Sequence, residues 1–141
     1  MTALLVDFDS LCEKRQKEIV SRDRGSPCEH RAANSGGNLV RQYKIDGVVI
    51  KDGIKCDFLL LNDEKKTAYY IELKGSDILK AIQQVEETAR RLGRQLLNYT
   101  QLYRIVYRTG TLDLHSGKVT EWKARNRGKQ IIRSSRLEEA I

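Results

Sequence analysis

From residue 39 to residue 73 apolar and polar side chains alternate with a period of two, and many of the apolar ones are β-branched or aromatic. The runs 39–45, 48–50, 55–61 and 67–73 read as strands or strand pieces, because Asp46-Gly47, Asp52-Gly53 and residues 62–65 between them are turn-forming sequences. Strands joined by such short connections pair as an antiparallel meander. After residue 76 the period changes. Ile78, Ile82, Val85, Ala89, Leu92 and Leu96 recur at spacings of four and three, which predicts a helix with one apolar seam for packing on a sheet, capped by Ser76 or Asp77. Residues 102–108 alternate again and predict a further strand.

The two ends are patterned differently. Residues 11–22 are rich in charged helix formers, with Phe8, Leu11, Cys12 and Ile19 roughly on one face, and predict a first helix that stops at Gly25. Ser26-Pro27-Cys28-Glu29 has the order of a capping box with Pro at the first helical position, which predicts a short second helix to about residue 34, followed by a turn at 35–38. Beyond residue 110, Val119, Trp122, Ile131 and Ile132 predict a strand or two, and residues 137–141 a short terminal helix. Neither a repeat nor a linker interrupts the chain, so its 141 residues are read as one α/β domain, with a core at about 10–109 and a basic C-terminal extension at 110–141.

Composition narrows the class. Hydrophobic residues at 40%, charged residues at 32% and a single Pro describe a folded chain rather than a disordered one. The opening apolar run lacks a basic start and is broken by Asp7 and Asp9, so neither a signal peptide nor a membrane span is read there, and a cytoplasmic location is expected. Cys12, Cys28 and Cys56 are odd in number and lack CxxC spacing, which favours reduced, buried thiols; Cys28-Glu29-His30 is too small a cluster for the four ligands of structural zinc. The net charge of +7 is concentrated: residues 118–136 hold seven basic side chains against Glu121 alone. Such a stretch meets a polyanion or forms a solvated face.

Two strands carry polar groups where their surroundings ask for apolar ones. Asp57 interrupts Cys56-Asp57-Phe58-Leu59-Leu60-Leu61, a run apolar enough for burial on both faces, so its carboxylate must be paired or bind a metal. In Tyr70-Ile71-Glu72-Leu73-Lys74-Gly75, alternation places Glu72 and Lys74 on one side of the strand. If the two strands are hairpin neighbours, all three groups converge at one end. Two carboxylates with several waters suit magnesium, and a neighbouring ammonium can orient a water or offset phosphorane charge. The alternative is a structural Asp57–Lys74 ion pair with Glu72 as a strand-end charge.

An Asp in an apolar strand, a turn, Glu-x-Lys at the end of the next strand and an amphipathic helix directly after it resemble the PD-(D/E)xK nuclease superfamily, over roughly residues 39–108. The resemblance implies a restriction-endonuclease-like αβββαβ core, with a mixed central sheet flanked by helices. It implies a metal-dependent endonuclease acting on nucleic acid, DNA before RNA, with Mg²⁺ or Mn²⁺ as cofactor and a homodimer where two strands are cut. Asp57 and Glu72 are then the metal ligands, with the Leu73 carbonyl as a third, and Lys74 is the catalytic lysine. Gln83 or Gln84 sits where some members place a helix glutamine near the site. Members often add an acid from the first helix, and Glu13, Glu18 and Glu29 compete for that role, although capping explains Glu29 equally well. Cys56 stands in place of the family's nominal proline. Lys123, Arg125, Arg127, Lys129 and Arg133 are the expected phosphate contacts beside the metal site. Trp122, set among them, either stacks on a base or anchors a small core, and the second is favoured. His30 and His115 are read as ordinary loop residues. Two other classes remain: a module that binds nucleic acid without cutting it, and a protein-binding accessory or regulatory factor.

Overall fold

A computed structural model describes residues 3–75, 77–108 and 113–141, with the backbone alone for Lys74 and Gly75. The strands are β1 (Glu18–Arg22), β2 (Glu29–Ala33), β3 (Val40–Lys44), β4 (Phe58–Asn62), β5 (Thr67–Gly75), β6 (Thr100–Tyr107), β7 (Gln130–Ser134) and β8 (Arg136–Ala140). Helix α1 (Ile78–Leu92) lies between β5 and β6, and α2 (Gly117–Arg125) between β6 and β7. The fold is mixed α/β, with a five-stranded sheet in the order β3-β4-β5-β6-β7 and a three-stranded sheet in the order β1-β2-β8.

The expected meander forms as β3, β4 and β5, with each neighbouring pair antiparallel. Its turns at Gly47 and Gly53 take positive φ, a conformation that glycine adopts without a Cβ penalty. All five residues of β4 are buried, as a strand covered on both faces requires. Alternate residues enter different cores. Leu59, Leu61, Ala68 and Tyr70 pack against Ile78, Ile82, Val85 and Ala89 of α1, while Phe58, Leu60, Tyr69 and Ile71 pack against Ile19, Ala32 and Leu137 of the small sheet. Helices therefore cover one face of the central sheet and a second sheet covers the other. Each fully buried aliphatic side chain in these layers contributes roughly 1.5–3 kcal/mol of transfer free energy. Helix α1 starts where its seam predicts, with Asp77 Oδ1 accepting from the Lys80 amide at 3.0 Å; Ser76, the other expected cap, lies outside the described residues.

Four expected elements are corrected. Residues 11–22 form no helix: 18–22 are β1, in which Ile19 and Ser21 are buried and Glu18 and Arg22 exposed, a period of two that β-branched Ile19 and Val20 support. Residues 11–14 instead lie along the β3 edge, where Leu11 N–H donates to Gln42 O and Lys14 O accepts from Val40 N–H, both at 2.8 Å. The second expected helix is β2, with His30 and Ala32 buried. Ser26 Oγ does accept a local amide, from Cys28 at 3.1 Å, but this closes a turn rather than starting a helix. Residues 48–50 make a turn with an isolated bridge from Asp46 to Ile50 in place of a strand. Residues 137–141, expected as a terminal helix, instead fall on β8 (Arg136–Ala140), parallel to β2.

The C-terminal segment is accordingly built into the body of the fold, not appended to it: β7 extends the central sheet beside β6 and β8 completes the small one. Ser135, at φ 62°, lets the chain pass from one sheet to the other, and its carbonyl accepts from the Glu29 amide at 3.1 Å. Between the sheets Arg104 meets Glu139 through two hydrogen bonds of 2.7 and 3.0 Å, and His30 Nε2 lies 2.7 Å from the same carboxylate. No helix among the described residues is long and apolar enough to cross a membrane.

Candidate active site

In the β4–β5 register Phe58 stands opposite Ile71, which sets Asp57, one residue before β4, opposite Glu72. The backbone of Asp57 is fixed from both sides: its N–H donates to Ile71 O at 3.0 Å and its carbonyl accepts from Ile45 N–H at 2.8 Å. One side-chain oxygen, Oδ2, accepts the Leu73 amide at 2.8 Å. Helix α1 holds the residues just before it. The Cys56 amide donates to Thr88 Oγ1 at 2.8 Å, and Gln84 Nε2 donates to Lys55 O at 3.1 Å.

Both carboxyls are almost sealed from solvent, Asp57 at 4% exposure and Glu72 at 7%. Burial is the main reason their proton affinities rise, since a charge in this setting loses its hydration. Asp57 is pushed up to about 6, by burial and by Asp23, against the opposing pull of the Leu73 amide and Lys44. Glu72 is pushed up to about 9, by burial and then by the charge of Asp57 beside it. Glu72 Oε1 is buried with no hydrogen-bond partner among the described residues. Two facing buried carboxyls raise each other's proton affinity, an arrangement that a positive charge between them would relieve.

Other residues reach this end of the sheet that the sequence did not single out. Asp23 follows β1 and is close enough to Asp57 to raise its proton affinity. Lys44, the last residue of β3, places Nζ 2.6 Å from Asp23 Oδ1, 3.7 Å from Asp57 Oδ1 and 4.8 Å from the Phe58 ring centre. Asp46 lies 3.6 Å from Lys55 Nζ and adds to the field that raises Glu72. The only sequence signal for Lys44 was a cation closing an otherwise alternating strand, and Asp23 sits in a polar turn that reads as solvent-facing.

The remaining expected residues are distributed as follows. The side chain of Lys74 lies outside the described residues; its backbone is the next-to-last position of β5, where the pairing with β6 shifts between Leu73 and Gly75. Leu73 presents its amide to Asp57. Gln84 is half-buried and, with Gln83, Lys80, Lys55 and Ile54, lines a cleft of about 610 Å³ that Asp46 borders. The N-terminal glutamates do not join the pair. Glu29 binds Arg22 and Arg31 on β2, Glu18 binds Arg31 at the end of β1 away from Asp23, and Glu13 is exposed.

The five basic residues are all exposed, but most are set back from the carboxyls. Lys129 O accepts from Tyr103 N–H, and Tyr103 is level with Tyr70, two residues or about 7 Å up the strand from Glu72. Lys123, Arg125 and Arg127 precede that point on α2 and the turn after it. Arg133 is level with Leu73 through Val106, yet it lies two strands away, roughly 10 Å, on the edge strand β7. Trp122 is a core anchor, 2% exposed, with Nε1 donating to Glu86 Oε2 at 3.0 Å. His30 is corrected from loop to buried strand residue, while His115 ends a short 3₁₀ turn. The three cysteines are free and buried.

Among the described residues no group of three or more His, Cys, Asp or Glu side chains is placed to hold one ion. The donor set at hand is the pair Asp57 and Glu72. Their raised proton affinities, and a Glu72 Oε1 with no hydrogen-bond partner among the described residues, fit a magnesium-like ion, which is commonly held by one or two carboxylates and keeps several waters. Comparison with known proteins identifies no relative: no family model, no curated protein and no solved structure matches this chain.

Proposed function

We propose that this protein is a metal-dependent endonuclease that hydrolyses phosphodiester bonds, in DNA before RNA, on a PD-(D/E)xK-like βββαβ core. The observation that carries the reading is the buried Asp57–Glu72 pair, facing across β4 and β5, with one carboxylate oxygen that has no hydrogen-bond partner among the described residues. A buried carboxyl pair that its surroundings compensate only in part weakens a fold unless it serves a ligand. A divalent ion, Mg²⁺ or Mn²⁺, supplies when bound an acidified water and charge neutralisation at the phosphate.

The chain's own part is to hold and orient. Asp57 and Glu72 are the carboxylate ligands, and the Leu73 amide keeps Asp57 Oδ2 from rotating. The Leu73 carbonyl is the family's third ligand position. Lys74, two residues after Glu72, is assigned by the resemblance to orient or deprotonate the attacking water. The cleft beside Asp46 offers Lys55 and Lys80 to a phosphate and the amides of Gln83 and Gln84 to a base edge or sugar, and its volume is that of a small-ligand site. Lys123, Arg125, Arg127, Lys129 and Arg133 give a longer polyanion a second, more distant grip.

A second reading is favoured by that separation of basic surface from carboxyls and by the missing first helix: a module that binds nucleic acid and does not cut it. Incubation of labelled single-stranded, duplex and four-way-junction DNA, and of an RNA counterpart, with Mg²⁺ or Mn²⁺ separates the two. Endonucleolytic products from the native chain and none from Glu72→Ala support the nuclease. Cleavage that persists in Glu72→Ala overturns the mechanism, and tight binding without products from any substrate favours the second reading.

A further inference from the structure

The ammonium of Lys44 is held from three directions: by Asp23 at 2.6 Å, by Asp57 at 3.7 Å and by the face of Phe58 at 4.8 Å from its centre. Its two carboxylate partners come from different layers, Asp23 from the end of β1 in the small sheet and Asp57 from the start of β4 in the central one. Glu72, directly across from Asp57 and 7% exposed, lacks this contact, and its Oε1 has no hydrogen-bond partner among the described residues. The Lys44 ammonium thus answers Asp23 and Asp57 and leaves Glu72, the third carboxyl at this end of the sheet, without its contact.

We propose that Lys44 is a positioning residue that limits how tightly the site takes a divalent cation, so that firm occupancy waits for a phosphate. This rests on the metal-binding reading of Asp57 and Glu72. Asp57 and Glu72 would hold such a cation, and it would be repelled by the Lys44 ammonium, which lies 3.7 Å from Asp57 Oδ1. Lys44 keeps its shorter bond to Asp23 and loosens the longer one to Asp57. The cost of placing two cations so close is offset when a phosphodiester brings negative charge between them, and metal and nucleic acid then favour each other's binding.

The test is the affinity for Mn²⁺ alone, followed by loss of the free-ion paramagnetic signal and by calorimetry, at one pH and ionic strength. Lys44→Met is expected to bind Mn²⁺ about tenfold more tightly than the native chain. Lys44→Arg, which keeps the charge, is expected to match it. The gain from a non-cleavable phosphorothioate oligonucleotide should also shrink in Lys44→Met. A purely structural lysine gives the opposite result, because its loss disorders Asp23 and Asp57 and weakens binding. Lys44→Gln, which still hydrogen-bonds to Asp23, replaces the methionine variant if the latter does not fold. Native binding that Lys44→Met and Lys44→Gln leave unchanged or weaken overturns the role of Lys44 and leaves the metal site standing. No Mn²⁺ binding by any of the proteins overturns both.

Discussion

Leu73 gives its backbone N–H to Asp57 Oδ2 at 2.8 Å, so the strand that carries Glu72 also aims the carboxylate opposite it. A main-chain donor cannot swing away as a side chain can, and this fixes one oxygen of Asp57 while Oδ1 faces Lys44. Asp57→Asn keeps an acceptor for the Leu73 amide but removes the charge. It is expected to fold, by circular dichroism, and to lose Mn²⁺ binding and cleavage together. Retained cleavage would remove Asp57 from the site.

Glu72 carries a pH signature. A carboxyl raised from an unfolded value of about 4.3 to about 9 binds a proton in the folded state that the unfolded chain releases. Its contribution to stability is therefore fully present below the unfolded value and is lost as pH rises through the folded one. Metal-free protein should lose stability across that window, and Glu72→Gln, which cannot ionise, should lose less. At pH ~8 the variant is expected to be more stable by on the order of 1–3 kcal/mol. Urea titrations at several pH values measure this, and parallel pH profiles for the two proteins would contradict it.

Thr88 links the helix to the site. Its hydroxyl accepts the buried Cys56 amide and donates to Gln84 O, both at 2.8 Å, and thereby seats the residue before Asp57. Thr88→Val keeps the shape and orphans the amide, at a cost of about 1–3 kcal/mol. Equilibrium unfolding reads that cost, and a change below a few tenths of a kcal/mol would show that the bond contributes nothing.

The brace between the sheets rests on Arg104 and Glu139, two charges taken out of water together. Arg104→Met leaves Glu139 beside His30 with its main partner gone and is expected to cost about 3–5 kcal/mol, whereas Arg104→Met with Glu139→Leu should recover much of it. The double-mutant cycle, read by thermal melts, is contradicted if the two substitutions simply add.

Because the basic residues stand back from the carboxyls, binding and chemistry should separate. Lys123→Glu with Arg125→Glu is expected to weaken nucleic-acid affinity and flatten its salt dependence, while cleavage with protein in saturating excess keeps its rate. Unchanged affinity would make that surface a solvated face.

The central hairpin and α1 were legible because their patterns are local. Leu59, Leu60 and Leu61 announce a strand covered on both sides, and the seam from Ile78 to Leu92 announces the helix that covers one of them. Asp57 and Glu72 stood out against those patterns. The small sheet was not legible, since its pairing of Glu29 with Arg136 joins residues more than a hundred apart, and Glu18 and Arg22 have helix propensity that the pairing overrides. Asp23 and Lys44 were hidden for the same reason. Lys44 reaches Asp57 through the β3–β4 pairing within the central sheet, and Asp23, just after β1, reaches it only because the small sheet stacks on the central one.

The most direct test is the single-turnover rate of cleaving one labelled DNA in Mn²⁺ by the native protein, by Glu72→Gln and by native protein in chelator. The predicted result is cleavage by the first and a loss on the order of 10²-fold or more in the other two. Equal rates for native protein and Glu72→Gln, or cleavage that survives the chelator, would contradict a metal centre built on Asp57 and Glu72.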